Sequence, residues 1–503
     1  MKSICFLLTI VMAYISNAQN IEWAKCYGGS DFDCATSVQQ TTDGSFIIAC
    51  HAGSNDGDIN NNNGLRDYWI LKLTEFGDTI WTKCYGGSNY DDAYSIQQTT
   101  DGGYIVGGNS RSNNGDVHGN HGLYDIWILK LNEFGDTLWS KCYGGSSEEH
   151  AESIQQTTDG GFIIAGYSGS IDGDVNENNG LSDVWILKLN EYGDALWSKS
   201  YGGSDFDYSY SIQQTTDGGY IVAGLSESND GDVNGNHGTR DIWVLKLNEY
   251  GDTTWTRCYG GSYWEETNSI QQTSDGGYIV AGSSYSNDGD LNNNNGLSDY
   301  WILKLNEFGD TIWTKSYGGS NDDYSYSIQQ TTDGGYIVAG YSNSNDGDVF
   351  GNHGNNDYWV LKLDEYGDTL WTKCYGGSGS EKTESLQKTT DGGSIIVGFS
   401  ESNDGDVNGF HGYFDSWVLK IDDYTSTLVQ ETYKNIQIYP NPTYGMVNIK
   451  SDKVQKVEVV NLIGEVILVS QNKMIDIKNQ PSGVYYIKVF NGEETITRKI
   501  IKI

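Results

Sequence analysis

Proline and methionine are almost missing from this chain. Three prolines stand in 503 residues, none before Pro440, and after Met12 the next methionine is Met446. So sharp a change in composition places a domain boundary near residue 432, with Asp422 to Lys434 as the linker. Cations are scarce too: 30 Lys and Arg face 68 Asp and Glu, a formal charge of -38 carried by the residues before that boundary. A surface of that sign repels phosphate and lacks the basic stripe of a nucleic-acid binder. The eight cysteines do not form a disulfide framework. Cys26, Cys84, Cys142, Cys258 and Cys374 share one periodic position that Ser200 and Ser316 also fill, so it is a small buried site; Cys34 and Cys50 are left as a pair that could bridge. Beyond the N-terminus no apolar run is long enough for a transmembrane helix. Nucleophile elbow, zinc helix motif, phosphate loop and Cys-x-x-Cys are all absent.

What is present begins with an address. Lys2, the apolar run Ile4 to Ala13 and the small residues Ser16, Asn17 and Ala18 read as a secretory signal peptide over residues 1–18. Cys5 opens the apolar run instead of standing at the cleavage point, which argues against lipid attachment.

A repeat then occupies residues 20–429. Trp23, Trp81, Trp139, Trp197, Trp255, Trp313 and Trp371 are spaced by 58 residues without insertion or deletion. That length holds four short strands with their turns. In the fourth copy, Tyr208 to Thr215 alternates and ends in the hairpin signal Asp217-Gly218. Tyr220 to Gly224 is a second strand, Asp241 to Leu247 a third, closed by Asn248 to Asp252, and Thr253 to Gly261 a fourth. Seven such units predict an all-β fold, a seven-bladed β-propeller. An open solenoid would need polar caps, and none is visible. The chain instead enters on a lone fourth-type strand, Ile21 to Tyr27, while the last copy supplies only the first three types, with Val429 at the eighth indole position. Ring closure by the N-terminal strand accounts for both ends. The periodic Lys72, Lys130, Lys188, Lys246, Lys304, Lys362 and Lys420 read as ion-pair partners for neighbouring carboxylates.

The loop between second and third strands has calcium-loop spacing, with carboxylate or amide oxygens at positions 1, 3, 5 and 12. The candidate ligand sets are Asp56, Asp58, Asn60 and Asp67; Asp172, Asp174, Asn176 and Asp183; Asp230, Asp232, Asn234 and Asp241; Asp288, Asp290, Asn292 and Asp299; and Asp404, Asp406, Asn408 and Asp415. Asn114, His118 and Phe350 weaken two further copies, and Asn61, Glu177 and Asn293 replace the glycine expected at position 6. Calcium is the cofactor this pattern suggests. The alternative is an Asx-rich loop whose carboxylates cap backbone amides. The loops resemble the calcium-bearing propeller repeats of integrin α-subunits, without the "FG" and "GAP" motifs of that family. As a whole the repeat resembles uncharacterised propeller repeats of exported Bacteroidetes proteins.

Ligand specificity belongs where copies differ, which is after each Tyr-Gly-Gly-Ser. There Phe32, Tyr90, Glu148, Glu149, Phe206, Trp264, Glu265 and Glu266 mix aromatic faces with carboxylates, a combination suited to sugar rings and hydroxyls. Trp264 is the one indole outside the two periodic sets. A second variable cluster, Arg66, Tyr124, Arg240, Phe410, Tyr413 and Phe414, lies beside the loops. Glu148 with Glu149, or Glu265 with Glu266, could furnish the acids of a glycoside hydrolase, but adjacent residues on a strand point to opposite faces and make no ready dyad. The reading is therefore a non-catalytic propeller that binds glycan or protein through its rim. A polysaccharide-degrading enzyme and a structural coat or adhesion protein are the alternatives.

Residues 432–503 carry four ordered motifs: Ile438 to Ile449, Val457 to Ile467, Ile475 to Val489 and Thr497 to Ile503. Their alternating runs, separated by Asn-Pro, Ile-Gly and Ser-Gly turns, predict a small β-sandwich. The segment resembles the type A C-terminal sorting domain of the type IX secretion system of Bacteroidetes. That resemblance implies an immunoglobulin-like fold, the type IX machinery as partner, and a product secreted or placed at the cell surface.

Overall fold

The computed structural model describes residues 20–291, 293–422, 437–439, 443–450, 455–461, 466–490 and 495–502; the expected signal peptide, and the expected linker beyond Asp422, lie outside them. The chain divides into two units near residue 423. In the first, seven four-stranded antiparallel sheets follow one another. Six are sequential blades: Asp33–Tyr85, Asp91–Tyr143, Glu149–Tyr201, Asp207–Tyr259, Glu265–Tyr317 and Asp323–Tyr375. The seventh takes Glu381–Lys388, Ser394–Ser400 and Asp415–Ile421 from the end of the repeat region and Ile21–Tyr27 from the beginning. Cys26 lies opposite Trp417 in that pairing, as Cys84 lies opposite Trp69 in the first blade. The predicted propeller, its four strand types and its closure by the N-terminal strand are thus present.

The first strand of each blade is innermost. The side chain of Gln97 accepts the amide of Gln156 at 2.6 Å, Gln155 that of Gln214 at 2.6 Å, and the series continues through Gln213, Gln271 and Gln329. Gln387 receives the amide of Gln40 and Gln39 that of Gln98, which closes a belt of seven glutamines around the channel. Third strands are apolar on both faces because a blade is covered on both sides; Trp69, Trp127, Trp185, Trp243, Trp301, Trp359 and Trp417 are fully buried. Each contributes about 2–3 kcal/mol by leaving water. Fourth-strand indoles seal one blade to the next: Trp81 meets Tyr104 edge-on at 6.1 Å, and Trp197 meets Tyr220 at the same separation.

All seven periodic lysines pair with the aspartate of a hairpin turn, as Lys246 with Asp217 at 2.9 Å and Lys304 with Asp275 at 2.9 Å. The expected structural role holds. Cys34 and Cys50 are both free thiols, which corrects the possible bridge: Cys34 stands opposite His51, and Cys50 opposite Ala35.

In the second unit a three-stranded sheet, Gln437–Tyr439, Met446–Lys450 and Met474–Asp476, accompanies a four-stranded one built on Lys456–Val460, Val466–Ser470, Gly483–Phe490 and Thr495–Lys502. Val447, Ile449 and Ile475 of the first share a core with Val457, Val459, Ile487 and Val489 of the second, the packing of a β-sandwich. Among the described residues no helix is long and apolar enough to cross a membrane.

Candidate functional site

The short hairpins fall on one face of the ring. The other face receives the long loop between second and third strands and the Tyr-Gly-Gly-Ser connection between blades. Its backbone is pinned by the acid that opens each first strand. Asp33 accepts Gly29 N at 2.8 Å and Ser54 Oγ at 2.7 Å. Glu149 does the same for Gly145 N and Ser168 Oγ, and Glu265 for Gly261 N and Ser284 Oγ at 2.8 and 2.7 Å. Glu149 and Glu265 are therefore wholly buried caps. This corrects their assignment to ligand contact: a carboxylate that accepts a backbone amide and a hydroxyl beneath the surface cannot also meet a sugar.

The calcium-like loops use their acids in the same way. Asp56 caps Ser30 N at 2.8 Å and Asp58 caps Gly28 N at 3.2 Å. Asp172 and Asp174, Asp230 and Asp232, Asp288 and Asp290, and Asp404 and Asp406 repeat these bonds in their blades. Asp67, Asp183 and Asp299 cap the amide four residues earlier at 2.8 Å, while Asp241 and Asp415 also take the Nδ1 of His237 and His411. Asn60, Asn176, Asn234 and Asn408 are exposed; Asn292 lies outside the described residues. Among the described residues no three His, Cys, Asp or Glu gather closely enough to hold an ion. The position-6 preference has a backbone cause, since Asn61, Asn293, Gly119 and Gly235 all take positive φ. In these five loops one oxygen of each aspartate caps a backbone amide, while the Oδ1 of Asp67, Asp183, Asp241, Asp299 and Asp415 is buried without a partner.

The rim residues and the second variable cluster converge. Short bridges join Arg66 to Tyr90, Tyr124 to Glu148, Arg240 to Trp264, Ser182 to Phe206 and Phe414 to Phe32, so both clusters form one surface. The built part lies between the fourth and fifth blades. Trp264 is 56% exposed, with the Arg240 guanidinium 5.3 Å from its ring centre and Tyr285 edge-on at 6.5 Å. Arg240 is oriented by Glu227 Oε1, at 2.6 Å from Nη2 and 3.2 Å from Nε. Tyr285 and Tyr324 join hydroxyls. With Glu266, Ser283 and Ser298 these groups line a cleft of about 120 Å³. Burial raises the Glu266 carboxyl above its ordinary range, Arg240 opposing, and the Oγ of the fully buried Ser298 has no partner. A larger cleft of about 520 Å³ lies between the first and second blades, lined by Phe32, Arg66, Tyr90 and Tyr124. Glu148 is exposed and Phe206 half-buried on the same face.

Strand-internal contributors escape a reading centred on loops. The second and fourth positions of the first strands vary between blades and sit at the inner end of this face: Cys34, Asp92, His150, Tyr208, Glu266, Tyr324 and Lys382, then Thr36, Tyr94, Glu152, Tyr210, Asn268, Tyr326 and Glu384. Burial pushes Glu152 up to about 7 and Glu384 up to about 8, and holds His150 down at about 4. The signal was variation inside an otherwise repeated strand.

Similarities to known proteins fall on both units. Part of the chain is 26% identical over 288 residues to the regulatory protein FlaEY of Caulobacter vibrioides; the match covers 50% of this chain and 30% of that protein's length. Among solved structures, BBS1N in complex with ARL6DN aligns with 81% of this chain and 97% of its own at 9% identity, with a TM-score of 0.42. The Pan2 WD40 domain of Neurospora crassa aligns with 78% of this chain and 89% of its own at 8% identity, with a TM-score of 0.39. Residues 437–503 match the family model described as the secretion system C-terminal sorting domain, so this β-propeller protein carries a type IX sorting tail and is exported, to the cell surface or beyond it.

Proposed function

We propose that the exported propeller is a non-catalytic binder of carbohydrate polymers, which it engages through the face bearing Trp264. The supporting observation is the cleft itself. An exposed indole ring, in contact with Arg240 and Tyr285, shares the cleft with the half-buried Glu266 carboxyl and an unpartnered hydroxyl. Ring faces take the C–H surface of a sugar, and the polar floor takes its hydroxyls. Affinity electrophoresis of the full chain through gels containing neutral polysaccharides tests this: retardation is expected, and its persistence in Trp264→Ala would remove the site.

One observation favours an enzymatic alternative. Burial raises the carboxyls of Glu152 and Glu384 toward neutrality, and Glu152 adds to the rise of Glu384, a property shared with catalytic acids of glycoside hydrolases. Release of reducing ends, abolished in Glu384→Gln, would support that reading. Self-association without a soluble ligand would point to a coat protein, and capture of a surface protein to adhesion.

A further inference from the structure

Superposing the blades by their 58-residue register shows that the Trp264 cleft is not unique. Arg240, Trp264 and Glu266 occupy the positions of Arg66, Tyr90 and Asp92, three repeats earlier. The other five copies of this trio read Tyr124/Glu148/His150, Ser182/Phe206/Tyr208, Ser298/Asp322/Tyr324, Asn356/Ser380/Lys382 and Phe414/Phe32/Cys34. Arginine over an aromatic ring beside an acid thus occurs twice in seven, and the two examples face each other nearly across the ring. Their geometry is alike: Arg66 stands 5.0 Å from the Tyr90 ring centre, against 5.3 Å for Arg240 over Trp264.

Arg66 and Tyr90 of the earlier trio line the larger cleft, where Phe32 adds a second ring 5.9 Å from Arg66. Of its lining, Arg66 Nε lacks a partner; behind the lining, Asp92 pairs with Arg66 and His51 stacks on Phe32, and Asp92 Oδ1 and His51 Nδ1 are likewise unpartnered in side chains only 3% and 7% exposed. The Trp264 cleft has its counterpart in Ser298 Oγ. Donors and acceptors mixed beneath aromatic rings suit hydroxyl groups, which do both. Charge narrows the class. Arg66 is already paired with Asp92 at 2.9 Å and Arg240 with Glu227 at 2.6 Å, so the charge of each guanidinium is matched by a carboxylate of the protein and none is left to balance a sugar carboxylate.

We infer that the cleft between the first and second blades is a second carbohydrate site of the same kind, making the propeller bivalent toward one neutral polysaccharide chain laid across this face. The inference rests on the carbohydrate reading above. Two sites on a rigid ring convert the second contact into an intramolecular one, which raises avidity without any new interaction. Neutral hexasaccharides of β-1,4-glucan, β-1,4-xylan, β-1,4-mannan and α-1,4-glucan, titrated calorimetrically into the full chain, test it. The expected result is two equivalents bound by at least one of them, one equivalent in either Tyr90→Ala or Trp264→Ala, and two again in Tyr90→Phe, which keeps the ring. Affinity for the corresponding polymer should fall at least tenfold in each alanine variant, while polygalacturonate should not bind. One equivalent that survives Tyr90→Ala and disappears in Trp264→Ala would overturn bivalency and leave the Trp264 site standing. Absence of binding by all four would overturn both, and tight polygalacturonate binding would overturn the neutral assignment.

Discussion

This acidic protein should become less stable as pH rises from 5 to 7.5. The third strand of each blade opens on a wholly buried aspartate. Burial, helped by neighbouring carboxylates, pushes Asp67 and Asp299 up to about 7 and Asp183 up to about 6; burial likewise raises Asp357, Asp33 and Asp323 to about 6. Folded pKa values above the unfolded 3.8 mean that the native state holds more protons between about pH 4 and pH 7. The slope of unfolding free energy with pH is then negative: the contribution is complete below the unfolded value and is lost through the folded ones. Each such proton is worth about 1.4 kcal/mol per pH unit. If two of these six groups behave independently, stability falls by about 5 kcal/mol from pH 5 to 7, and with about 2.1 cal/mol/K of unfolding entropy per residue over some 400 residues the midpoint drops by about 6 °C. The turn aspartates act in another window. Against the cost of burial, hydrogen bonds from Thr273 and Lys304 hold Asp275 down to about 2, so its contribution is lost only as pH falls below the unfolded value. The assay is a thermal melt from pH 3.5 to 8 in 0.5 M NaCl, which screens general surface repulsion. Asp67→Asn sharpens it, because Asp67 Oδ1 has no partner and stands with Asp91 Oδ2 against Gly86. The variant should melt higher than wild type at pH 7.5 and no higher at pH 5. A midpoint that is flat or rising from pH 5 to 7.5 refutes the reasoning.

Three further outcomes follow from the packing. Gly251 has φ of +79° and an added Cβ would lie 3.0 Å from the Trp197 ring, so Gly251→Ala should cost about 1–3 kcal/mol in chemical denaturation, whereas Gly218→Ala, with open space around it, should cost only backbone strain. Deleting Ile21–Tyr27 strips the last blade of its outer strand and exposes the edge of Asp415–Ile421; concentration-dependent association in sedimentation is expected, and an unchanged monomer would contradict closure. Chelator should shift the melting midpoint by less than about 1 °C, since backbone amides already hold one oxygen of each loop aspartate, and a stabilisation of several degrees by calcium would support the ion-binding reading instead.

The scaffold was legible because the chain states it seven times. Trp23 through Trp371 set the period, Asp-Gly turns set the hairpins, and the unmatched strand at Ile21 demanded a partner at the other end. The site was legible only in outline. Which residues after Tyr-Gly-Gly-Ser turn outward depends on a cap that the copies themselves reveal: Asp33, Asp91, Glu149, Asp207, Glu265, Asp323 and Glu381 are acidic in every blade, the mark of a shared structural duty. Trp264 differs from its six equivalents and is exposed. Asp92, Glu152 and Glu384 were hidden by their place inside a strand, where a polar residue reads as alternation until neighbouring blades show that it lies at the inner end of the face. The loop acids illustrate the converse, since their spacing suits an ion and a backbone equally: the amide bonds of Asp56 and Asp58 account for the backbone role, and the calcium reading rests on the chelation test.

The most direct test of the central claim is binding of the full chain and of Trp264→Ala, side by side, to an array of polysaccharides and glycans. The account predicts reproducible binding to a neutral polymer that weakens at least tenfold in the variant while its melting midpoint stays the same. Silence across the array, or binding indifferent to Trp264, would contradict it.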